Sequence, residues 1–381
     1  MAISTDVTGG FTEEQRAIAE LAFELGRKYA DRDFDDHEAS MSQWADLAES
    51  GLTGLGLPEE FGGGGGMLEL CIAAERLGAG GYPAAKLIIS TAVCGQILSR
   101  NGSAEQRERW LPSIASGQTK FCFALTEPGA GSNSNKLQTS ARRVDGGWKI
   151  SGEKTFISAI ESSDAMVLVT QTPGYGGLSV FAFEHLDQPG ITTQRVNVVA
   201  PAFEWQWSVF FDDLILPDEA LIGEAGKGHR ALFDGLNPER LIVASQCVGI
   251  GRWSLERGVK YAKDRIVFDV PIGAHQAVQH PLAEAYIQLE GAWALTQNAC
   301  KLYDTGSQAG VESNIAKIAA VDAGFFATDK ALQCFGGSGF TADTAMLQRF
   351  IYMRVMKTVP VARELGLNHV ATAALGLPRS Y

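Results

Sequence analysis

The spacing of apolar residues changes twice along the chain, and this limits the possible folds more than any other feature. Residues 11–120 carry apolar side chains at helical spacing. Residues 121–220 consist of short segments rich in β-branched and aromatic residues, separated by turn residues. Residues 228–378 return to helical spacing. This succession predicts two helical regions with a β region between them.

We therefore expect an α+β fold of three domains. Residues 1–120 are predicted to form an N-terminal helical domain, in which Thr12 is the N-cap of the first helix. Residues 121–225 are predicted to form a central β-barrel or β-sandwich domain. Residues 226–381 are predicted to form a C-terminal four-helix bundle. The two helical domains are expected to pack together.

Composition excludes several classes of function. The 381 residues carry a net charge of −12, which argues against a nucleic-acid-binding surface. No apolar run reaches the roughly 18 residues that a membrane span requires, and Met1–Asp6 lacks the pattern of a secretory signal. The six cysteines form no CxxC pair and are interpreted as reduced core thiols of a cytoplasmic protein. The six histidines form no HxxxH or HExxH motif, so no metal site is expected.

Two segments of the β region could bind a flat or anionic ligand. In Ala124–Ser132 a predicted strand ends in a turn whose N–H groups could face an anion, together with the hydroxyls of Thr126 and Ser132. Phe156 and Ser158 lie two residues apart on a predicted strand, so they share a face and could offer a stacking plane and a hydrogen bond. Taken alone, each segment could also be an ordinary turn or a strand with one core Phe.

A third segment, Gln333–Phe340, follows a predicted helix. Gly336 and Gly337 allow a ligand to approach the backbone closely, and Gln333 supplies an amide nearby. The same pattern could be a simple helix C-cap.

Six motifs resemble those of the acyl-CoA dehydrogenase family in both order and spacing. Each motif is moderately specific, whereas the ordered set is highly specific and covers nearly the whole chain. The motifs are Leu125–Ser132, Lys154–Ser158, Leu221–Gly228, Arg265–Phe268, Pro271–His280 and Gln333–Phe340.

The resemblance implies FAD as the cofactor and a role as an oxidoreductase in fatty-acid or lipid catabolism. Thr126 then contacts the isoalloxazine, Phe156 lies against the flavin, and the Ser158 hydroxyl bonds to flavin N5. Ser132 lies near the pyrophosphate and the thioester ligand. The residues implied to bind FAD are Leu125, Thr126, Ser132, Phe156, Ser158, Arg265, Phe268, His275, Gln276, Gln333, Gly336 and Gly337.

Part of this set also implies an oligomer. Arg265, Phe268, His275 and Gln276 match family positions that hold FAD across a subunit interface. The resemblance therefore implies a homo-oligomer, either a dimer or a tetramer. Gln333, Gly336 and Gly337 match the site of the adenosine diphosphate.

The reaction that the resemblance implies requires a carboxylate base for the substrate α-proton. The family has two positions for this base. One falls on Val361, which cannot serve, and the other falls on Glu239, one residue before Arg240. The resemblance therefore favours Glu239 as the base, partly by elimination. Glu364, three residues after Val361, remains the alternative.

The residues around Glu239 predict the start of a helix. Asn237 is a plausible N-cap and Pro238 a natural first helical residue, which would leave Glu239 in the first turn. The resemblance further implies that Ser132, Asn237 and Arg240 contact the substrate, Arg240 near the pantetheine arm.

Three functions remain open. The first is an acyl-CoA dehydrogenase that passes electrons to an electron-transfer flavoprotein. The second keeps the fold but acts on an acyl-carrier-protein thioester, or uses O₂ as a flavin oxidase or monooxygenase. The third is a non-catalytic partner subunit of a hetero-oligomer. A carboxylate at Glu239 favours dehydrogenation, and the retained Arg265 and Gln333 argue against the third function.

Overall fold

The structure is a computed structural model that describes residues 10–200 and 204–380. Met1–Asp6, where no signal sequence is expected, and the terminal Tyr381 lie outside these residues. Helices come first, strands follow and helices return, so the predicted α+β order is confirmed. The α-helices of the described residues are α1 (Glu13–Lys28), α2 (His37–Glu49), α3 (Met67–Gly80), α4 (Gln96–Asn101), α5 (Ala104–Ala115), α6 (Gly228–Asp264), α7 (Gln276–Asp304), α8 (Gly310–Phe335), α9 (Met346–Met356) and α10 (Arg363–Ala373).

The strands fall in one block and one later hairpin. Between the helices α3 and α4, the segment Leu87–Gly95 (the π segment) is π-helical and runs directly into α4. The predicted domain limits after residues 120 and 225 stay predictions. The strands are β1 (Phe121–Ala124), β2 (Ser140–Val144), β3 (Gly147–Ser158), β4 (Ala165–Thr172), β5 (Gly177–Glu184), β6 (Ile191–Val196), β7 (Gln206–Pro217), β8 (Leu221–Ile222), β9 (Ile266–Val267) and β10 (Val270–Pro271).

Helix α1 begins where the sequence predicts it to begin. The Thr12 hydroxyl accepts a hydrogen bond from Gln15 N at 3.1 Å, and the Gln15 side chain accepts one from Thr12 N at 3.1 Å. This capping box satisfies two N–H groups that the first turn would otherwise leave without partners. Helix α3 approaches α1 closely at Gly26, where a Cβ atom would lie 2.2 Å from the carbonyl oxygen of Leu77.

One compact unit consists of residues 10–39, 67–84 and 240–380. It joins α1 and α3 to the helices of the C-terminal region, so the predicted packing of N-terminal on C-terminal helices is confirmed for this part of the chain. The Asp304 carboxylate in α7 accepts hydrogen bonds from the first two N–H groups of α3, those of Met67 at 2.7 Å and Leu68 at 3.2 Å. An acidic group at a helix N-terminus is electrostatically favourable.

Arg349 lies in the core of the same unit. Its guanidinium is fully buried and donates to the carbonyl oxygens of Ala30 at 2.8 Å and Gly81 at 2.9 Å. The aromatic rings of Phe34 and Trp253 lie 4.2 and 4.4 Å from it. Burial lowers the pKa of Arg349 to about 9, and the aromatic faces and carbonyl oxygens offset part of the cost of burying the charge.

The second compact unit consists of residues 40–66 and 85–239, of which 201–203 are outside the described chain. Its sheet has the strand order β6-β7-β3-β2-β4-β5-β8, with β1 parallel beside β4. Alternate residues of β4 enter two different apolar clusters, for example Val167 on one face and Leu168 on the other. Burial on both faces explains why β4 is apolar almost throughout. The sequence did not predict β2, in which Arg142 and Arg143 are exposed.

The cysteines have no disulfide partner, as predicted, and all of them are buried except Cys334, which is half-buried. Among the residues that the structure describes, no helix combines the length and the apolar character needed to cross a lipid bilayer.

Candidate active site

The loop that follows β1 is fixed by a buried ion pair. The Glu127 carboxylate accepts hydrogen bonds from the backbone N–H groups of Gln138 at 2.6 Å and Thr139 at 3.0 Å. It also accepts one from the Lys154 ammonium on β3, at 2.8 Å. Lys154 is fully buried and donates a second bond to the carbonyl oxygen of Leu125, at 2.8 Å. Glu127 and Lys154 therefore clamp the loop onto β3.

Burial and the attraction between the two charges shift the pKa values of this pair in opposite directions. Burial alone would raise the pKa of Glu127, but Lys154 and the N–H donors lower it below its usual value. For Lys154 burial dominates, and it lowers the pKa to about 8 although Glu127 acts in the opposite direction. Both groups therefore carry their charges at neutral pH.

The clamp brings two of the predicted flavin-binding segments side by side. The N–H of Thr155 on β3 donates to the carbonyl oxygen of Thr126 at 2.8 Å. Leu125 and Thr126 are half-buried, whereas Ser132 lies exposed further along the loop. Residues that are far apart in sequence, 126 and 156, thus belong to one surface of the β region.

Phe156 is raised from the sheet by a β-bulge. Lys154 pairs with Val209 on β7, but Ile157 pairs with Trp207, so β3 has one extra residue between these pairs. Phe156 lies in the bulge with φ at +55° and its side chain is 57% exposed. A positive φ is unfavourable for an aromatic residue, and such strain tends to occur at functional sites. The interpretation of Phe156 as a core residue is therefore wrong.

Ser158 follows Phe156 by two residues, and the residue between them, Ile157, is buried. Its hydroxyl is half-buried and hydrogen-bonds to the side chain of Gln206, the directly opposite residue on β7. Nothing in the sequence around Gln206 marks it as a site residue. Only the pairing register of β3 with β7 identifies it, and the bulge sets that register.

Glu239 does not lie in the first turn of a helix, so this prediction is wrong. Helix α6 begins at Gly228 and runs without interruption to Asp264, which places Asn237 and Pro238 in its interior. Asn237 is therefore not an N-cap. Proline at this position lacks the N–H that would bond to the carbonyl four residues earlier, yet the packing of α6 maintains the helix through it. The helix dipole consequently has little influence on Glu239.

The side chain of Glu239 is partly withdrawn from water. Its Oε2 atom is shielded from solvent. One turn earlier, Gly235 lets α6 approach α4 and the π segment so closely that a Cβ atom there would lie 2.7 Å from Ile97 of α4 and 3.2 Å from Val93 of the π segment. The π segment carries Cys94, and burial first, then the charges of Cys122 and Glu239, raise the pKa of the Cys94 thiol. Glu239 thus lies close enough to Cys94 of the π segment for its charge to act on that thiol.

The alternative base has a different environment. Glu364 is exposed, in the first turn of α10. Val361 is half-buried, and its carbonyl oxygen accepts a hydrogen bond from the buried Lys317 ammonium at 2.7 Å. This backbone contact holds Val361, the first of the two positions that the motif resemblance implies for the base. It offers no acidic group here.

The residues predicted to contact the substrate differ in exposure. Asn237 and Arg240 are buried, with 3% and 5% of their surface exposed, whereas Ser132 is exposed. Burial, followed by the positive charge of Arg240, lowers the pKa of His369 on α10. A buried guanidinium is suited to hold a polar or anionic part of a ligand.

The remaining predicted FAD residues lie on the surface of the first compact unit. Phe268 and Asp269 form the two-residue turn of the β9–β10 hairpin, both with positive φ. The Tyr261 and Phe335 rings stack with centroids 4.5 Å apart, which brings the end of α6 close to the end of α8. The residues of this set, all exposed, are Arg265, Phe268, His275, Gln276, Gln333, Gly336 and Gly337.

Gly336 has a conformation that other residues rarely adopt. Its φ is +56° and its ψ is −135°, immediately after the end of α8. Because this region is open only to glycine at low cost, the turn between α8 and Phe340 depends on it. Neither Gly336 nor Gly337 has a heavy atom within 4 Å of the position of an added Cβ. The backbone there is open to a ligand.

Comparison with known proteins gives the same family along the whole chain. The N-terminal domain model of acyl-CoA dehydrogenases matches residues 12–118, the middle-domain model matches residues 122–214, and the C-terminal domain model matches residues 226–374.

Individual relatives agree with these models. Acyl-CoA dehydrogenase FadE12 of Mycobacterium tuberculosis is 40% identical over 373 residues, which cover 96% of each chain. The solved structure of butyryl-CoA dehydrogenase from Megasphaera elsdenii is 27% identical with a TM-score of 0.90, covering 96% of this chain and 99% of the other. A glutaryl-coenzyme A dehydrogenase in complex with glutaryl-CoA is 25% identical with a TM-score of 0.92, covering 97% of both chains. The resemblance in the motifs is thereby confirmed, and the chain belongs to the acyl-CoA dehydrogenase family.

Proposed function

We propose that this protein is an FAD-dependent acyl-CoA dehydrogenase that oxidises an acyl-CoA thioester to the 2-enoyl-CoA, with Glu239 as the base. The observation that carries the proposal is the contrast between the candidate carboxylates. Glu239 has an oxygen shielded from solvent beside the apolar π segment, whereas Glu364 is exposed and Val361 has no acidic group. A base for an α-proton works best when water does not compete for it.

FAD is the cofactor, and the residues of the chain fit it. The exposed Phe156 ring offers a face for a flat ring system, and the nearby Ser158 hydroxyl can donate a hydrogen bond. The backbone at Gly336 and Gly337 is open to close approach, and Arg265 supplies an exposed cation for a pyrophosphate. When bound, FAD supplies the acceptor for the hydride from the substrate β-carbon, at flavin N5.

The chain itself supplies the proton acceptor and the orientation. The Glu239 carboxylate takes the α-proton as the β-hydride leaves, so the substrate loses two hydrogens and gains a C=C bond. Thr126 and Ser158 contact the flavin from one side. The ion pair of Glu127 and Lys154 holds the loop of Thr126 against the strand of Ser158, and so keeps these two residues in place. Arg240 and Asn237 hold the thioester ligand by polar contacts, Arg240 near the pantetheine arm, and Ser132 lies near both the thioester ligand and the pyrophosphate.

The proposal includes partners. The exposure of Phe268 fits a homo-oligomer, a dimer or a tetramer, in which the hairpin reaches the cofactor of another subunit. An electron-transfer flavoprotein is the proposed acceptor of the electrons. The free cysteines fit a reducing compartment, and we place the protein in the cytoplasm. Catabolism of fatty acids or other lipids is the proposed process.

The test is an anaerobic titration of the purified flavoprotein with a panel of acyl-CoAs, followed by flavin absorbance at each addition. We expect the wild-type flavin to bleach with at least one acyl-CoA. Glu239→Gln should slow the bleaching by about a thousandfold, the usual contribution of a general base. Glu364→Gln, a matched substitution of the other carboxylate, should bleach at the wild-type rate.

Each result that differs from these expectations would contradict a different part of the proposal. Bleaching at an unchanged rate in Glu239→Gln would refute the assignment of the base, and loss of bleaching in Glu364→Gln would assign the base to Glu364. Bleaching that occurs only with an acylated carrier protein would move the substrate to that class. A purified protein without flavin absorbance would refute the proposed function altogether.

A further inference from the structure

The Ser158 hydroxyl is held by one side chain of the opposite strand. Its Oγ atom lies 3.0 Å from Gln206 Oε1, to which it donates, and 2.9 Å from Gln206 Nε2, from which it accepts. We infer that Gln206 is a positioning residue, which holds the Ser158 oxygen by donating to it from Nε2, so that the hydroxyl can turn its single proton from Gln206 Oε1 to a bound flavin. The inference rests on the proposed function, in which Ser158 is the residue that bonds to N5.

The orientation of the Gln206 amide follows from its other contact. Gln206 Nε2 lies 3.0 Å from the backbone carbonyl oxygen of Glu204, which can only accept a hydrogen bond. The end of the amide that faces Glu204 must therefore be the NH₂ group. The same NH₂ group donates its second hydrogen to Ser158 Oγ.

Glu204 is itself held firmly, so it is a rigid support for the amide. Its carboxylate accepts from the Lys86 ammonium at 2.5 Å and from the Ser40 hydroxyl at 2.6 Å. All three residues are buried, with at most 5% of their surface exposed. A buried ion pair with supporting hydrogen bonds is costly to break. The position of Glu204, and with it the carbonyl that orients Gln206, is consequently fixed.

The β-bulge brings Gln206 opposite Ser158. Before the bulge Lys154 pairs with Val209, and in that register Ser158 would face Trp205. The extra residue in β3 shifts the register so that Ser158 faces Gln206. The same irregularity that exposes Phe156 therefore supplies the Ser158 hydroxyl with its partner.

The chemistry of a hydroxyl explains what this arrangement does. A serine hydroxyl has one proton and two acceptor lone pairs. Without a ligand the proton can lie on Gln206 Oε1. When an acceptor such as flavin N5 is present, the proton can turn to it, while Gln206 Nε2 continues to donate to Oγ. Donation into the oxygen polarises its O–H bond and makes it a stronger donor.

The test measures FAD affinity by fluorescence titration of apoprotein, and flavin midpoint potential by spectroelectrochemistry, in a double-mutant cycle. The variants are Ser158→Ala, Gln206→Leu and the double variant, with Gln206→Glu as a near-isosteric second substitution at 206. Gln194→Leu, an exposed glutamine on β6, is the control and should leave both quantities unchanged. We expect Gln206→Leu and Ser158→Ala each to weaken FAD binding by about fivefold, the value of one hydrogen bond, and to shift the midpoint potential in the same direction.

The cycle separates positioning from a general structural role. In the Ser158→Ala background, Gln206→Leu should cause no further change in either quantity, because Gln206 acts through the hydroxyl. Gln206→Glu, which accepts but cannot donate, should reproduce Gln206→Leu even though it conserves size. An effect of Gln206→Leu that persists at full size in the Ser158→Ala background would overturn the inference. So would unchanged affinity and potential in both Gln206 variants when Ser158→Ala alters them. Wild-type apoprotein that binds no FAD would instead refute the proposed function.

Discussion

Glu127 and Lys154 form an ion pair in which one side chain is 5% and the other 0% exposed. Removing one partner of such a pair leaves the other charge buried and uncompensated. We expect Glu127→Gln to reduce the free energy of unfolding of the β region by about 3 kcal/mol at pH 7. Urea denaturation followed by tryptophan fluorescence measures this change. FAD affinity should fall as well, because Glu127 fixes the loop that carries Thr126.

The effect should depend on pH, with a definite sign. The pKa of Glu127 is lowered in the fold from its usual 4.5, so its carboxylate stabilises the fold above about pH 4.5 and loses this contribution as the pH falls further. The difference between wild type and Glu127→Gln should therefore shrink from pH 7 to pH 3. Glu184→Gln, which removes a partly exposed carboxylate paired with Arg109, should change the stability by less than about 1 kcal/mol. A difference at position 127 that stays constant with pH would contradict the interpretation.

At the scale of elements, the interior proline of α6 lies directly before the proposed base. Pro238 cannot donate to the carbonyl oxygen of Asp234, so α6 lacks one of its hydrogen bonds directly before Glu239. Pro238→Ala should restore that bond and raise the melting temperature. It should also lower the turnover number, because a regular helix would move the Glu239 carboxylate away from its present direction. Thermal unfolding and steady-state kinetics measure the two effects.

A second interior proline provides the control. Pro112 lies inside α5 and is exposed, at a distance in sequence from every proposed site residue. Pro112→Ala should raise the melting temperature in the same way and leave turnover unchanged. If Pro238→Ala keeps the full turnover number, the proline has no part in placing Glu239.

The elements also show what the sequence could and could not predict. Long helices with one apolar face and strands rich in β-branched residues were predicted correctly, because their patterns are local. The predicted start of α6 at Asn237 was wrong, since tertiary packing continues the helix through Pro238 against its local preference. β2 was not predicted, because its two consecutive exposed arginines interrupt the alternation of apolar and polar residues that indicates a strand. The bulge at Phe156, and with it the role inferred for Gln206, depends on pairing between strands that no local pattern encodes.

The candidate site shows the same limit. Resemblance to a family supplied positions such as Ser158 and Glu239, because those residues form motifs in order along the chain. Two residues that support Ser158 through Gln206 are Lys86 and Glu204, which contact each other across 118 positions of sequence. The sequence around each of these two residues contains no motif that indicates this role. Long-range support of this kind becomes visible only when the chain is folded.

At the scale of the whole molecule, the first compact unit has exposed apolar side chains that the proposed homo-oligomer would explain. Phe268 is 87% exposed at the tip of the β9–β10 hairpin, and Ile266 beside it is 54% exposed. On α7, Ile287 is 69% and Leu295 is 43% exposed. Large exposed apolar groups, when they form a patch, are typical of surfaces that another protein covers. The proposed homo-oligomer would bury them between identical chains.

Phe268→Asp tests this assembly and its connection to the cofactor. A charge at the hairpin tip should resist burial, so we expect the oligomer to dissociate at micromolar protein concentration in sedimentation-velocity experiments. FAD affinity should fall with the loss of the oligomer, because the hairpin is proposed to complete the cofactor site of another subunit. Ile215→Asp, at an exposed apolar position on β7 that is 55% exposed, should change neither quantity. An intact oligomer with weakened FAD binding would assign Phe268 to the cofactor alone. A dissociated oligomer with full FAD affinity would show that each chain binds FAD by itself, and would refute the shared site.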